Sequence, residues 1–337
     1  MDYVKVGLIG GGGIVDDHIR GYRQFADRIG VKAVADVQPE TLARRRDELG
    51  AAAFTDYRQL IAEGDIDAVD ICLPHHLHAD AIVRAANAGK HILCEKPLCL
   101  TAAEARDIDA AVRANGITLM CAHNQLFMPA VAKAREVFDS GILGRLYEVR
   151  VTDSFFNDFD PSTMGWRANA KTAGGGELID SGYHPTYLLL HLASGTPVEA
   201  TAMLSKHRLT FMEGEDSAQM LVRFDNGVVG QVVTSWAYDP APVTERFSAV
   251  GELGSIHSGG SEGTSLTVTL RAGTSETFTF DEVDGYAAEI GHFADSVIGG
   301  TRPIHTEVEG IAVLGILLAA YEGAARKTIA PVVAPVP

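Results

Sequence analysis

Val4-Lys5-Val6-Gly7-Leu8-Ile9-Gly10-Gly11-Gly12-Gly13-Ile14-Val15 joins an apolar run to a glycine cluster and then to helical spacing. Apart from Lys5 and Gly7, residues 4–9 are continuously apolar, as in a central strand of a parallel sheet covered on both faces. A helical segment then runs through Ile29 to a stop at Gly30. Strand, glycine turn and helix together place a pyrophosphate on a helix amino terminus. Gly10 makes the tight turn and Gly12 permits close backbone approach; Gly13 and Ile14 lead into the helix. All four are candidate cofactor-binding residues. The third fingerprint position is Val15, where glycine or alanine is usual, so the helix must sit farther from the strand or pack differently. Glycines also make ordinary turns, so the specificity has to come from the next strand and the acid at its end.

That second apolar strand, Val31 to Ala35, ends in Asp36, close to the roughly 20-residue offset of a ribose-binding acid. Asp36 is expected to accept hydrogen bonds from both adenosine ribose hydroxyls. Its carboxylate would repel a 2'-phosphate, and Val37 and Gln38 bring no cation to compensate, so NAD is preferred over NADP. The alternation continues with helical spacing over Pro39 to Leu49 and Asp56 to Glu63, then an apolar strand from Ala68 to Leu73 that ends at Pro74. His75, His76 and His78 come next. No carboxylate or cysteine cluster stands beside them, so no metal is expected. Pro74, His75 and His78 are read as nicotinamide-pocket lining, or a histidine as the cap of a helix over Ala79 to Ala88. Thr101 caps a helix to Asn115 with Glu104 at its third position, and Ile117 to Cys121 is taken as the last strand of a doubly wound α/β sheet.

Within this alternation, Lys90 to Cys94 is a strand that delivers Glu95-Lys96-Pro97. Ligands of open parallel sheets sit beyond the carboxyl ends of the strands, which makes Lys96 a candidate for chemistry and Glu95 for cofactor contact. Pro97 fixes its own φ and biases Lys96 away from helical geometry, giving a rigid corner.

Composition bounds the class. A length of 337 residues suggests about two domains. With 46% hydrophobic and 21% charged residues the chain has an ordinary globular balance. A net charge of -16 disfavours nucleic acid and anionic membranes as partners. Cys72, Cys94, Cys99 and Cys121 read as buried free thiols suited to a reducing cytoplasm. The first strand begins at Val4, leaving no room for a signal segment before the fold, and the apolar run Ile311 to Ala320 is too short for a bilayer and reads as a core helix.

After Gly141 strand-like runs succeed one another. They are Leu146 to Phe156, Val198 to Ser205, Ala218 to Phe224, Val228 to Ser235, Glu245 to Gly251, Gly254 to Ser258, Ser265 to Leu270 and Ser275 to Phe280. Asp225-Asn226-Gly227 makes a hairpin turn. These runs predict an α+β domain with a large, predominantly antiparallel sheet over 125–330, following a Rossmann domain over 1–124. One sheet face is free for a partner subunit, so a homo-oligomer, dimer or tetramer, is expected. Helices near Tyr286 to Ile298 and Glu307 to Arg326 close the chain. Gly174-Gly175-Gly176 precedes Asp180 and His184. If this segment is helical after the glycines, both side chains leave one face and converge on a small molecule. Three glycines would let backbone approach a ligand closely.

Gly7-Leu8-Ile9-Gly10-Gly11-Gly12-Gly13-Ile14 with His18, Asp36, Gly89-Lys90-His91 leading into Glu95-Lys96-Pro97, Trp166-Arg167, and Gly174-Gly175-Gly176 through Asp180 to His184 resemble, in order, the glucose-fructose oxidoreductase and inositol dehydrogenase family. The resemblance covers nearly the whole chain. It implies an amino-terminal Rossmann domain, a carboxyl-terminal domain whose large sheet is often used in oligomers, and a lysine, aspartate and histidine triad at Lys96, Asp180 and His184. Leu126 and Tyr187 stand where many members carry arginine and aspartate. That departure bears on substrate identity, for which His123, Asn124, Asn157, Trp166 and Arg167 are pocket-lining candidates.

The expected activity is reversible oxidation of a secondary hydroxyl on a sugar, glycoside or cyclitol, with hydride passing to NAD. His184 would take the hydroxyl proton, Lys96 would stabilise the developing alkoxide, and Asp180 would hold substrate or His184. The rivals are a keto-sugar or imine reductase, an NAD-assisted glycoside-cleaving enzyme, and a non-catalytic NAD-binding regulator.

Overall fold

The computed structural model describes residues 2–241, 245–259 and 263–333. The chain divides into two compact units, one holding 2–124 and 284–311, the other 125–283 and 312–333.

The first unit is built from β1 (Val4–Ile9), α1 (Val15–Gln24), β2 (Ile29–Ala35), α2 (Pro39–Leu49), β3 (Ala52–Phe54), α3 (Tyr57–Glu63), β4 (Ala68–Ile71), α4 (His78–Asn87), β5 (His91–Cys94), α5 (Ala102–Asn115) and β6 (Leu119–Cys121). Among the described residues its sheet has six strands in the order β3-β2-β1-β4-β5-β6, and every pairing is parallel. This order reverses direction between β1 and β4, the place where doubly wound sheets open a ligand crevice. Val4, Val6, Leu8 and Ile9 are without exposed surface, as a central strand requires. Pro39 opens α2 and Gly50 closes it in the left-handed region. Thr101 and Glu104 form a reciprocal capping box at α5. Two features differ from the expectation. Helix α1 ends at Gln24, and Ile29 already belongs to β2. The short strand β3 is an addition, because Ala52-Ala53-Phe54 is too brief to show a period.

The second unit starts with α6 (Pro129–Asp139) and β7 (Leu146–Ser154). The short helices α7 (Ala170–Ala173) and α8 (Glu177–Asp180) and the longer α9 (Tyr183–Ala193) follow. The strands are β8 (Pro197–Ser205), β9 (Ser217–Phe224), β10 (Val229–Ser235), β11 (Phe247–Gly251), β12 (Gly254–Gly259), β13 (Ser265–Leu270) and β14 (Ser275–Thr279). With β15 (Ala330–Pro331) they form a nine-stranded sheet, β14-β13-β12-β11-β7-β10-β9-β8-β15. Within this sheet, only β10 and β7 pair in parallel among the described strands. Helix α9 lies against β7 and β10. A side chain at Gly230 would meet Leu189 at 2.6 Å, so the glycine lets that helix seat closely.

Helix α10 (Gly285–Gly299), capped by Asp284, packs on α1 within the first unit. The chain thus returns to the nucleotide-fold unit after residue 283. Helix α11 (Glu307–Arg326) is long and apolar enough to cross a membrane by composition. Val313, Leu314, Ile316, Leu317 and Ala320 are fully buried in the fold, which makes it a core helix.

Candidate active site

Gly10 sits at φ +91°, and a side chain there would lie 2.4 Å from the Cys72 carbonyl oxygen, so the turn accepts only glycine. Over Gly12 and Gly13 an added Cβ would meet nothing within 4 Å. This open space, in front of the amino end of α1, fits a pyrophosphate. Asp16 and Asp17 in the first turn of α1 would oppose an anion, but Asp16 is paired with Arg45 at 2.6 Å and Asp17 with Arg20 at 2.5 Å. Asp36 Oδ2 accepts the Gly11 N–H at 2.8 Å and Oδ1 the Gln38 N–H at 2.7 Å. Each oxygen keeps a lone-pair direction for a ribose hydroxyl. Open glycines, a helix amino end and a half-buried acid together suit a nicotinamide dinucleotide.

Two residues outside the expected set hold this loop. Arg45, fully buried, donates from Nε to the Gly11 carbonyl at 3.1 Å and from Nη2 to the Gly12 carbonyl at 3.0 Å. Arg44, half-exposed, reaches the Gly11 carbonyl at 3.3 Å. Their signal lies in the arginine run 44–46, which on a helix reads as a solvated face.

The lysine corner follows β5. Lys96 is half-buried, and its peptide bond to Pro97 is cis. Glu95 and His78, both expected to contact the cofactor, are spent inside the unit. Glu95 Oε1 lies 3.1 Å from His18 Nε2, and its Oε2 accepts the Lys96 N–H at 3.1 Å. His78 is fully buried between the carbonyls of Pro97 and Leu73, each 2.7 Å from a ring nitrogen. Burial lowers the pKa of this imidazole. These geometries make Glu95 and His78 supports of the corner, whereas Pro74 and His75 stand at the exit of β4, His75 largely buried. His123 is buried with its Nδ1 2.8 Å from Nδ1 of His305, so one ring donates and the other accepts. Asn124 is half-buried at the end of the first unit's continuous run.

In the second unit Asp180 and His184 do not share one helix. Asp180 ends α8, Ser181 and Gly182 keep right-handed helical dihedrals but interrupt the α-helical bonding, the Gly182 N–H reaching back to the Glu177 carbonyl at 2.9 Å, and His184 is in the first turn of α9. The physical reason is Gly182, where a side chain would strike the Leu178 carbonyl oxygen at 2.6 Å, combined with Trp236 Nε1, which donates to Ser181 Oγ at 2.8 Å and pins the break. The glycines 175 and 176 also differ from expectation. A side chain at Gly175 would meet the Tyr321 hydroxyl at 2.3 Å, and one at Gly176 the Glu215 carbonyl at 2.1 Å. They admit the protein's own backbone and Tyr321, and no ligand is needed to explain them.

Asp180 is buried and accepts from Arg167 Nε at 2.9 Å, while the Arg167 guanidinium lies 4.3 Å over the Trp166 ring. A stacked, fork-shaped cation thereby orients the carboxylate. His184 is half-buried, its Nδ1 2.9 Å from the hydroxyl of the fully buried Tyr187, which also accepts the Gln125 N–H at 3.1 Å. Asn157 is half-buried, its N–H donating to the Trp236 carbonyl at 2.9 Å.

Behind Asp180, Glu177 has no exposed surface. Thr234 Oγ1 contacts both Glu177 Oε1 and, at 3.0 Å, the Asp153 carbonyl oxygen. One hydroxyl proton cannot serve two acceptors, so Glu177 must supply the second. Burial, with Glu215, Asp153 and Asp180 nearby, pushes its carboxyl well above the ordinary range despite the Thr234 contact. Glu177 is thus a protonated acid buried behind Asp180.

Residues 4–123 match the oxidoreductase family with an NAD-binding Rossmann fold, and residues 131–257 match the GFO/IDH/MocA C-terminal domain. The chain is 33% identical over 264 residues to a levoglucosan dehydrogenase of Pseudarthrobacter phenanthrenivorans, covering 69% of this chain and 67% of that protein. It is 29% identical to a 1,5-anhydro-D-fructose reductase of Ensifer adhaerens, over 81% and 82% of the two chains. A levoglucosan dehydrogenase solved with NADH and levoglucosan superposes with a TM-score of 0.89 at 28% identity, covering 98% of this chain and 99% of that one. A Rossmann unit with a glycine turn, followed by a mostly antiparallel second unit and matched over both, places the chain in the Gfo/Idh/MocA family of NAD(P)-dependent oxidoreductases.

Proposed function

We propose that this oxidoreductase interconverts a secondary alcohol and a ketone on a sugar, glycoside or cyclitol, with Lys96, Asp180 and His184 as its catalytic residues and NAD preferred over NADP. The observation that carries the reading is full-length similarity to a dehydrogenase solved with NADH and a sugar anhydride. Gly10, Gly12, Gly13, Ile14 and Asp36 would hold the dinucleotide, which supplies a two-electron hydride acceptor. His184 takes the proton of the hydroxyl being oxidised, and Tyr187 holds its ring. The Lys96 ammonium stabilises the alkoxide that develops as this proton leaves. Asp180, fixed by Arg167, accepts a hydrogen bond from a neighbouring hydroxyl and orients the ring. Asn124, Asn157 and Trp166 would line the sugar site.

The similarity to a 1,5-anhydro-D-fructose reductase supports a second reading, reduction of a keto-sugar by the same residues. A panel of sugars, anhydrosugars and cyclitols, each with NAD and NADP and each keto form with NADH, is followed by nicotinamide absorbance. NADH formation from an alcohol supports the first reading. Consumption only with keto substrates supports the second, and silence in both arms defeats the assignment.

We also propose that the exposed sheet face pairs with a second copy of the chain. Met203 and Leu221 are exposed side by side on β8 and β9, with Thr201, Gln219 and Gln231 around them. Apolar side chains on an open antiparallel face are the expected core of such an interface. Light scattering should show a dimer or tetramer that Met203→Asp with Leu221→Asp dissociates. The buried thiols Cys72, Cys94, Cys99 and Cys121 suit a reducing cytoplasm.

A further inference from the structure

A neutral imidazole has one N–H, yet the His18 ring faces a carboxylate at each nitrogen. Asp70 Oδ2 is 2.8 Å from Nδ1, and Glu95 Oε1 is 3.1 Å from Nε2. His18 and Asp70 have no exposed surface, and Glu95 almost none. Ionised carboxylates only accept, so both contacts are hydrogen bonds only if the ring carries two protons or one carboxyl carries the extra one.

The surroundings favour the ring. Asp70 Oδ2 also accepts from the Tyr22 hydroxyl at 2.8 Å, and the Cys72 thiol approaches Oδ1 at 3.5 Å, so Asp70 is surrounded by donors. Glu95 Oε2 accepts the Lys96 N–H, leaving its Oε1 to accept from the ring. From α10, the Tyr286 ring packs on His18 with centroids 6.1 Å apart. Glu289, on the same helix, has no hydrogen-bond partner for either oxygen among the described residues. Burial disfavours charge on His18, but Asp70 and Cys72 together outweigh it and hold the ring well above its ordinary range. Burial also keeps Glu289 protonated. The ring then donates to a carboxyl group on each side. His18, Asp70 and Cys72 bring ligand-type atoms within 4.8 Å of one another. A metal there would have to displace the ring proton that the Asp70 contact uses.

We propose that His18 is a doubly protonated positioning residue, a buried cation that ties α1 to Glu95 and, through the second oxygen of Glu95, fixes the backbone at Lys96. One ring thereby connects the helix that starts at the glycine turn with the corner that carries the lysine. The kinetic part of this proposal rests on the catalytic reading of Lys96, whereas the protonation state does not.

The test uses the intact protein. With ¹⁵N-labelled histidine, the His18 ring should show two N–H signals from about pH 6 to about pH 9, where an ordinary imidazole loses one. His18→Gln offers a single uncharged donor group. Its turnover should fall about tenfold to a hundredfold, with NADH affinity nearly unchanged. The loss should follow from two carboxyl groups left without a cation between them. Adding Asp70→Asn should therefore recover part of the turnover. A single ring proton on wild-type His18 would overturn the proposal. So would a loss in His18→Gln that is indifferent to Asp70→Asn, the mark of a purely structural role. Should His18→Gln fail to fold, the ring spectrum decides alone. Wild-type inactivity on every sugar defeats the functional reading and leaves the spectrum to judge the charge on His18.

Discussion

Arg45 donates its Nη2 hydrogen to the carbonyl oxygen of Gly12 at 3.0 Å from a position with no exposed surface. Pulling the turn's carbonyls toward α2 leaves the N–H groups of Gly12 and Gly13 for the opposite side, where an anion would bind. Arg45→Met removes both contacts to the turn and leaves Asp16 without its 2.6 Å partner at the start of α1. The expected outcome is a KM for NAD raised about tenfold to a hundredfold with kcat at saturating NAD little changed, measured by steady-state kinetics.

Arg44 bears on cofactor choice. Its half-exposed guanidinium reaches Gly11, whose N–H is held by Asp36. A 2'-phosphate near Asp36 would be repelled by the acid and attracted by this arginine. Arg44→Ala should therefore weaken NADP more than NAD, by about tenfold in the ratio of kcat/KM values, and Asp36→Ala should shift the ratio the other way. Equal effects on both cofactors would remove Arg44 from the discrimination.

Tyr187 hydrogen-bonds His184 through its hydroxyl. Losing its hydroxyl releases the ring without adding charge. Tyr187→Phe should lower kcat about tenfold to a hundredfold while NADH affinity, read by fluorescence titration, stays within a factor of about two. The Gln125 N–H also loses its acceptor, so a melting temperature lower by a few degrees is expected alongside.

Glu289 supplies a pH prediction. Burial raises its carboxyl well above the ordinary value of 4.5, with Glu95 and Asp70 adding to the shift and His18 opposing it. Above pH 4.5 the folded chain keeps a proton that the unfolded chain has released, so stability falls as pH rises until the folded group itself ionises. Glu289→Gln removes this dependence. It should match wild type below pH 4.5 and gain over it by up to about 1.4 kcal/mol per pH unit above, in urea melts across pH.

Much of the first unit is legible in sequence because its signals are local. Pro39 and Gly50 bracket α2, Thr101 and Glu104 announce α5, and the strands alternate with helices in register with their punctuation. The doubly wound sheet and the mostly antiparallel second sheet follow from that alternation and its loss. Side-chain allegiance is harder to read. Glu95 and His78 stand in the right loops, but whether such a group faces a crevice or the interior depends on partners far away in sequence, His18 for one and Leu73 with Pro97 for the other. The spacing of Asp180 and His184 suggests one helix, and only the close approach at Gly182 shows why there are two. Gly175 and Gly176 read as room for a ligand, yet Tyr321 and Glu215 occupy that space.

Helix α10 leaves a mark on how this protein can be dissected. Ile290 would collide with any side chain at Gly21, and Phe25 with any at Gly291, so α1 and α10 are fitted to each other with no slack. A gene fragment stopping at residue 124 would strip that cover from α1 and present water with a bare apolar strip beside His18. A self-sufficient nucleotide-binding piece has to be stitched from two distant stretches of the gene, 2–124 and 284–311, with a short artificial bridge in place of everything between.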